Sequence, residues 1–209
     1  MRIAVLGGTG SFGMALAARL IELGEDDVVI GSRDESRAKS AAAELGGRAS
    51  GATNDDAVGG VDLAVLAVKA DAALDTARGV ALALGTTPLL SVATELTFAK
   101  DGVRPDANAR SLAERIQDVV GAPVVAGLHS IAASNLAAHS PDEDALVCGD
   151  DAAAKALALE FAGKLVSGRA LDAGPLAGAR TLEGLTATIV NLNKRYKAHA
   201  GVRITGVGP

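Results

Sequence analysis

Residues Arg2-Ile3-Ala4-Val5-Leu6-Gly7-Gly8-Thr9-Gly10-Ser11-Phe12-Gly13 decide the fold. A short apolar run of strand length enters a glycine-rich turn. The turn opens onto a stretch that places Leu16, Leu20 and Leu23 at helical spacing. Gly8-Thr9-Gly10-Ser11-Phe12-Gly13 fits G-x-G-x-x-G between a strand and a helix, the setting in which that pattern binds a dinucleotide. The first glycine permits the tight turn, the second lets the backbone approach a pyrophosphate, and the third permits close packing of helix on strand. A helix N-terminus there offers free N–H groups and partial positive charge to the phosphates.

The second strand ends in Ile30-Gly31-Ser32-Arg33. Sites that take NAD usually carry an acid at this tip, which accepts hydrogen bonds from the ribose hydroxyls. None stands here; Asp34 comes one step later and is expected to cap the next helix. Ser32 can donate to a 2′-phosphate, Arg33 can pair with it or stack beside adenine, and Arg37 lies one helical turn further on. Charge-assisted hydrogen bonds contribute about 1.5–3 kcal/mol each, so two favour NADP over NAD by roughly a hundredfold or more.

The rest of the chain is consistent with this start. Its 209 residues suffice for one full-sized domain and a smaller appendage. A net charge of -5 excludes a broad basic field for nucleic acid. No apolar run reaches the ~20 residues of a membrane helix, and the first apolar run, ending at Leu6, is not expected to be a signal peptide. A single cysteine, Cys148, excludes an internal disulfide and suits a reducing cytoplasm. No metal-ligand spacing is visible. With three Phe, one Tyr and no Trp, a flat ligand must be held by aliphatic walls and backbone.

Apolar runs alternate with helical patterns, which predicts an α/β fold: a Rossmann-type parallel sheet with a smaller C-terminal α/β domain. Strands are expected over 2–6, 27–31, 63–68, 88–92 and 124–127, with a weaker one near 47–52. Helices are expected over about 12–23, 34–45, 71–84 and 108–120. The character changes after about His129, dividing the chain into 1–128, which binds NADP, and 129–209. In the second part a strand over 145–148 precedes a helix capped by Asp150 or Asp151. Pro175 is expected to open a long helix with Leu182, Leu185, Ile189, Leu192 and Tyr196 on one stripe.

Several further segments carry a resemblance. Leu66-Ala67-Val68, Val147-Cys148-Gly149-Asp150-Asp151, Leu171-Asp172-Ala173-Gly174-Pro175-Leu176, Leu192-Asn193-Lys194-Arg195-Tyr196-Lys197, His199 and Arg203-Ile204-Thr205-Gly206 join the turn and Ile30-Gly31-Ser32-Arg33. Over essentially its whole length the chain resembles the NADPH-dependent coenzyme F420 reductases. That resemblance implies a homodimer of two-domain subunits that passes hydride directly between NADP(H) and coenzyme F420, an 8-hydroxy-5-deazaflavin, with no metal and no acid–base triad. It implies that Thr9, Gly10, Ser11, Phe12, Ser32, Arg33 and Arg37 hold the adenosine and phosphate half. Val68, Ala70, Leu74 and Ala133 would lie beside the nicotinamide, and His129 and Ile131 would line the deazaflavin pocket.

The chain also departs from that pattern. Relatives continue Leu-Ala-Val with Pro-Trp, whereas this chain has Lys69-Ala70, so the indole that would wall the nicotinamide is absent. Ser91–Leu96 lacks a proline of the family pattern, and Leu128-His129-Ser130-Ile131 matches it loosely. Two other readings therefore stay open. One is a reductase of another acceptor, such as a flavin, a metal ion or a small imine. The other is an NADP(H)-binding module without turnover. His129 can serve a ring carbonyl or a buried backbone group, and Lys69 an anion or solvent. Lys194, Arg195, Lys197 and Arg203 can attract an anionic tail or be solvated.

Overall fold

The computed structural model describes residues 1–24 and 27–207. Strands β1 (Arg2–Leu6), β2 (Asp27–Ser32), β3 (Ala49–Thr53), β4 (Leu63–Leu66), β5 (Leu89–Ser91), β8 (Val124–Gly127), β9 (Ala145–Gly149) and β10 (Ala170–Asp172) form one sheet. Its spatial order is β10-β9-β8-β5-β4-β1-β2-β3. Every neighbouring pair is parallel except β8 and β9, which pair antiparallel through Ala126 and Cys148. The fold is thus the expected Rossmann-type one.

Successive strand residues face opposite layers, and both layers are apolar. Ile3 and Val5 join α1 (Ser11–Leu23) through Leu16 and Leu20, and join α7 (Ala152–Leu165) through Phe161 and Leu165. Ala4 and Leu6 face α4 (Ala70–Leu84) and α5 (Leu112–Gln117). Burial on both faces explains why these strands read as continuous apolar runs rather than alternating ones. Helix α2 (Glu35–Leu45) is capped by Asp34 and α7 by Asp151, as their sequences predict.

Other expectations need correction. The helix expected over 108–120 contracts to α5. Asn108 instead turns back onto Asp106 at 2.7 and 2.9 Å, and the helix starts only where Ser111 and Glu114 form a capping box. Pro175 does not open the last helix directly. It precedes a 3-10 turn, Leu176–Gly178, which Asp150 fixes by accepting the Leu176 N–H at 2.9 Å; α8 (Ala179–Tyr196) follows.

Sequence reading also overlooked a hairpin, β6 (Leu96–Ala99) with β7 (Gly102–Pro105). Its Asp101-Gly102 turn was the available signal, obscured by strands of only four residues. Asn191 of α8 clamps it, accepting the Val103 N–H at 2.8 Å and donating to the Val103 carbonyl at 2.7 Å. Two short helices, α3 (Asn54–Ala57) and α6 (Ala133–Ala138), were likewise unforeseen. Among the described residues no helix is long and apolar enough to cross a membrane.

Candidate functional site

Strand order reverses at β1: the chain proceeds to β2 and β3 on one side and returns to β4 on the other. Ligands of open α/β sheets bind at such a switch point, beyond the carboxyl ends of the strands. An open cleft of about 1280 Å³ lies there. Gly7, Thr9, Gly10, Ser11, Phe12, Ser32, Arg33, Arg37 and Val68 all line it. The glycine turn and the tip of β2, far apart in sequence, therefore share one cavity.

The turn is built by close contact. Gly7, not Gly8, is the left-handed residue, with φ of 72°. Gly8 donates its N–H at 3.1 Å to both the Val5 and Gly31 carbonyls. A β-carbon on Gly13 would come within 2.6 Å of the Gly8 Cα, so α1 lies against the turn only because position 13 is glycine. The α1 N-terminus, like those of α4, α6 and α8, has no side-chain cap, and no acid stands in its first turn. Its free N–H groups face the cleft and suit an anion.

The tip of β2 has a matching character. Ser32 is nearly buried, and its Oγ accepts the Asp34 N–H at 3.2 Å, which leaves its own proton to donate outward. Arg33 and Arg37 are exposed on the rim, and among the described residues neither guanidinium has an ion-pair partner. Arg48, Arg78, Arg104, Arg110, Arg115 and Arg169, by contrast, are all paired with carboxylates.

The remaining expected residues lie away from this wall. Ala70 begins α4 and Leu74 lies one turn on, both half-buried against the layer of Leu66 and Leu89. Lys69, exposed as the N-cap of α4, does line the cleft. His129, Ile131 and Ala133 lie at the carboxyl end of β8 and the start of α6, with Ile131 and Ala133 packed in the layer of Ile3 and Val5. Among the described residues neither nitrogen of the buried His129 ring has a close hydrogen-bond partner, although the Ala93 backbone lies nearby. Burial lowers its pKa to about 4, so the ring is neutral near pH 7. The preceding Leu128 is held at φ of 63°, and Thr186 Oγ1 donates to the His129 carbonyl at 2.8 Å. Backbone strain of this kind persists only where surrounding contacts impose it. Burial drives the Cys148 thiol up to about 12, which leaves it unreactive.

Thr53, Asn54, Asp55, Asp71, Asp75 and Thr76 line the cleft without having been singled out beforehand. Thr53-Asn54-Asp55-Asp56 does carry a helix-start signal, and Thr53 caps α3 through the Asp56 N–H. Only the pairing of β3 with β2 reveals that this start adjoins Ser32.

Residues 2–95 match the family described as NADP oxidoreductase coenzyme F420-dependent. The chain is 37% identical over 228 residues to the F420-dependent NADP reductase of Methanothermobacter thermautotrophicus, covering 99% of this chain and 96% of that one. To the F420-dependent NADP reductase of Methanocaldococcus jannaschii it is 31% identical over 236 residues, 99% of each chain. The crystal structure of a candidate F420-dependent NADP-reductase from an Arthrobacter species superposes with a TM-score of 0.86 at 28% identity, covering 98% and 99% of the two chains.

Proposed function

The chain belongs to the family of F420-dependent NADP reductases, and we propose on that footing a division of labour among its residues. The enzyme transfers hydride between NADP(H) and coenzyme F420. One observation carries the NADP half of this reading: an uncapped helix terminus and two unpaired arginines share a cleft whose β2 tip bears Ser32 instead of an acid. Thr9, Ser11 and Phe12 present backbone N–H groups to the pyrophosphate on the turn that Gly8, Gly10 and Gly13 shape, and Ser32, Arg33 and Arg37 bind the 2′-phosphate.

Val68, Ala70, Leu74 and Ala133 supply the aliphatic surface for the nicotinamide, and His129 and Ile131 that for the deazaflavin. His129 suits a polar edge of a ring: as a neutral imidazole it has one donor and one acceptor nitrogen, with the Ala93 backbone the neighbour that competes for them. The protein's task is to hold two rings together and exclude water, which requires no acid–base triad. Residues 1–128 form the NADP part, and 129–209 complete the acceptor side.

We read the enzyme as cytoplasmic and homodimeric. Phe98, Leu192 and Tyr196 support the dimer, since the apolar stripe of α8 is buried at Leu182 and Ile189 but emerges at its far end. The decisive assay mixes protein, NADPH and oxidised F420 and follows the deazaflavin absorbance. Loss of absorbance with NADPH and little with NADH is expected. Turnover only on a flavin, metal ion or imine, or NADPH binding without turnover, would overturn the proposal.

A further inference from the structure

The tip of β3 carries an unmet hydrogen-bond acceptor beside the tip of β2. Thr53 is the register partner of Ser32, and Asn54 follows it as the first residue of α3, lining the same cleft as Ser32, Arg33 and Arg37. The Asn54 side chain leans over the backbone of Gly31: a β-carbon at 31 would meet Asn54 Oδ1 at 2.8 Å. That oxygen is buried and has no hydrogen-bond partner among the described residues. Buried polar atoms are almost always paired, so an orphan within a binding cleft marks where a donor belongs.

The geometry points to Asn54 as a further nucleotide-reading residue, whose side-chain oxygen accepts the 3′-hydroxyl of the adenosine ribose. This rests on the NADP reading above. The tip of β2 is where dinucleotide folds meet that ribose, and an NAD site places a carboxylate there to accept its hydroxyls. With the 2′ position phosphorylated, only the 3′-hydroxyl remains a donor, and a carboxylate beside it would repel the phosphate. The Asn54 carboxamide supplies the acceptor without the charge. Gly31 leaves the room in which it sits.

The test measures NADPH and NADH affinities of the full chain by fluorescence or calorimetry, with thermal unfolding to verify that each variant is folded. Asn54→Ala should weaken both dinucleotides alike, by roughly three- to tenfold, because both carry the 3′-hydroxyl. Asn54→Asp should weaken NADPH by about tenfold or more and spare NADH, because the new charge faces only the 2′-phosphate. An NADPH analogue lacking the adenosine 3′-hydroxyl should bind wild type and Asn54→Ala equally. Unchanged affinities in Asn54→Ala, equal losses of both dinucleotides in Asn54→Asp, or an analogue that still senses Asn54→Ala would overturn the role of Asn54. Wild-type protein that binds neither dinucleotide would instead overturn the NADP reading itself.

Discussion

Arg33 is an exposed cation with no ion-pair partner among the described residues, so its removal leaves no paired charge stranded. Arg33→Ala should therefore leave folding almost unchanged while raising the NADPH dissociation constant about tenfold or more, with NADH binding nearly constant. Parallel titrations with the two dinucleotides measure this, and equal losses would remove Arg33 from the phosphate site.

His129 acts on stability in the opposite manner. Its pKa falls from 6.5 to about 4 on folding, so the unfolded chain binds its proton more readily. The group costs nothing above about pH 6.5. Its destabilisation grows as pH falls towards 4, reaching about 3 kcal/mol below that. Glu143 and Glu183, pushed up by burial, titrate with the opposite sign. Urea unfolding of wild type and His129→Gln across pH 4 to 7.5 isolates the histidine share, and the variant should lose less stability on acidification. That Ser32 and Arg33 stand at the cleft was legible in sequence, because their position after a strand is itself informative. Asn54 was not, since an asparagine at a helix start reads only as a cap until β3 is known to pair with β2.

At the scale of elements, the C-terminal segment is held mainly around the buried Asp144 and its partner Arg169, with an exposed Arg203–Asp142 pair beside them. Asp144 is fully buried and accepts from Arg169 Nη2 at 2.7 Å and from the Ile204 N–H at 2.8 Å, while its own N–H donates to the Val202 carbonyl at 2.7 Å. Arg169 donates in addition to the carbonyls of Ile204 and Val207. The guanidinium holds the Asp144 carboxyl far below the usual carboxylate range, so this contribution persists down to strongly acidic pH. Asp144→Ala strands the Arg169 charge and releases the segment. About 3 kcal/mol of stability should be lost, less than a fully buried pair because Arg169 is partly exposed. Residues 202–207 should at the same time become accessible to proteases and amide exchange. An intact pattern of exchange over this segment would refute the clamp. Arg203-Ile204-Thr205-Gly206 was recognisable as a segment of the family, but its anchor lies 60 residues earlier, beyond the reach of local pattern. The hairpin of β6 and β7 has strands too short to read, and the residue that clamps it, Asn191, is likewise distant in sequence.

At the scale of the whole molecule, the exposed apolar side chains Leu192 and Tyr196 at the end of α8, and Phe98 on β6 with Lys194 over its ring at 5.3 Å, should be covered by a second copy. The exposures of Phe98 and Tyr196, 67% and 68%, are high for aromatic side chains in a chain with so few. Sedimentation of the wild type should give a dimer, and Phe98→Glu with Tyr196→Glu should shift it towards monomer without loss of NADPH binding. A monomeric wild type would overturn this. Most of the sheet was legible in sequence, because strands buried on both faces announce themselves as apolar runs. The antiparallel junction of β8 and β9 was not, since an apolar run carries no direction.

The bond from the Gly8 N–H to the Gly31 carbonyl has a consequence for how such a protein can change its preference. It fastens the glycine turn to the backbone just ahead of Ser32, while the Ser32 and Arg33 side chains lie beyond that fastening. A lineage or an engineer can thus exchange these two side chains and inherit the glycine turn unaltered. Position 31 has no such freedom, since it is spoken for by the turn on one side and by Asn54 on the other. Nucleotide preference is the adjustable trait of this scaffold, and nucleotide attachment is the fixed one.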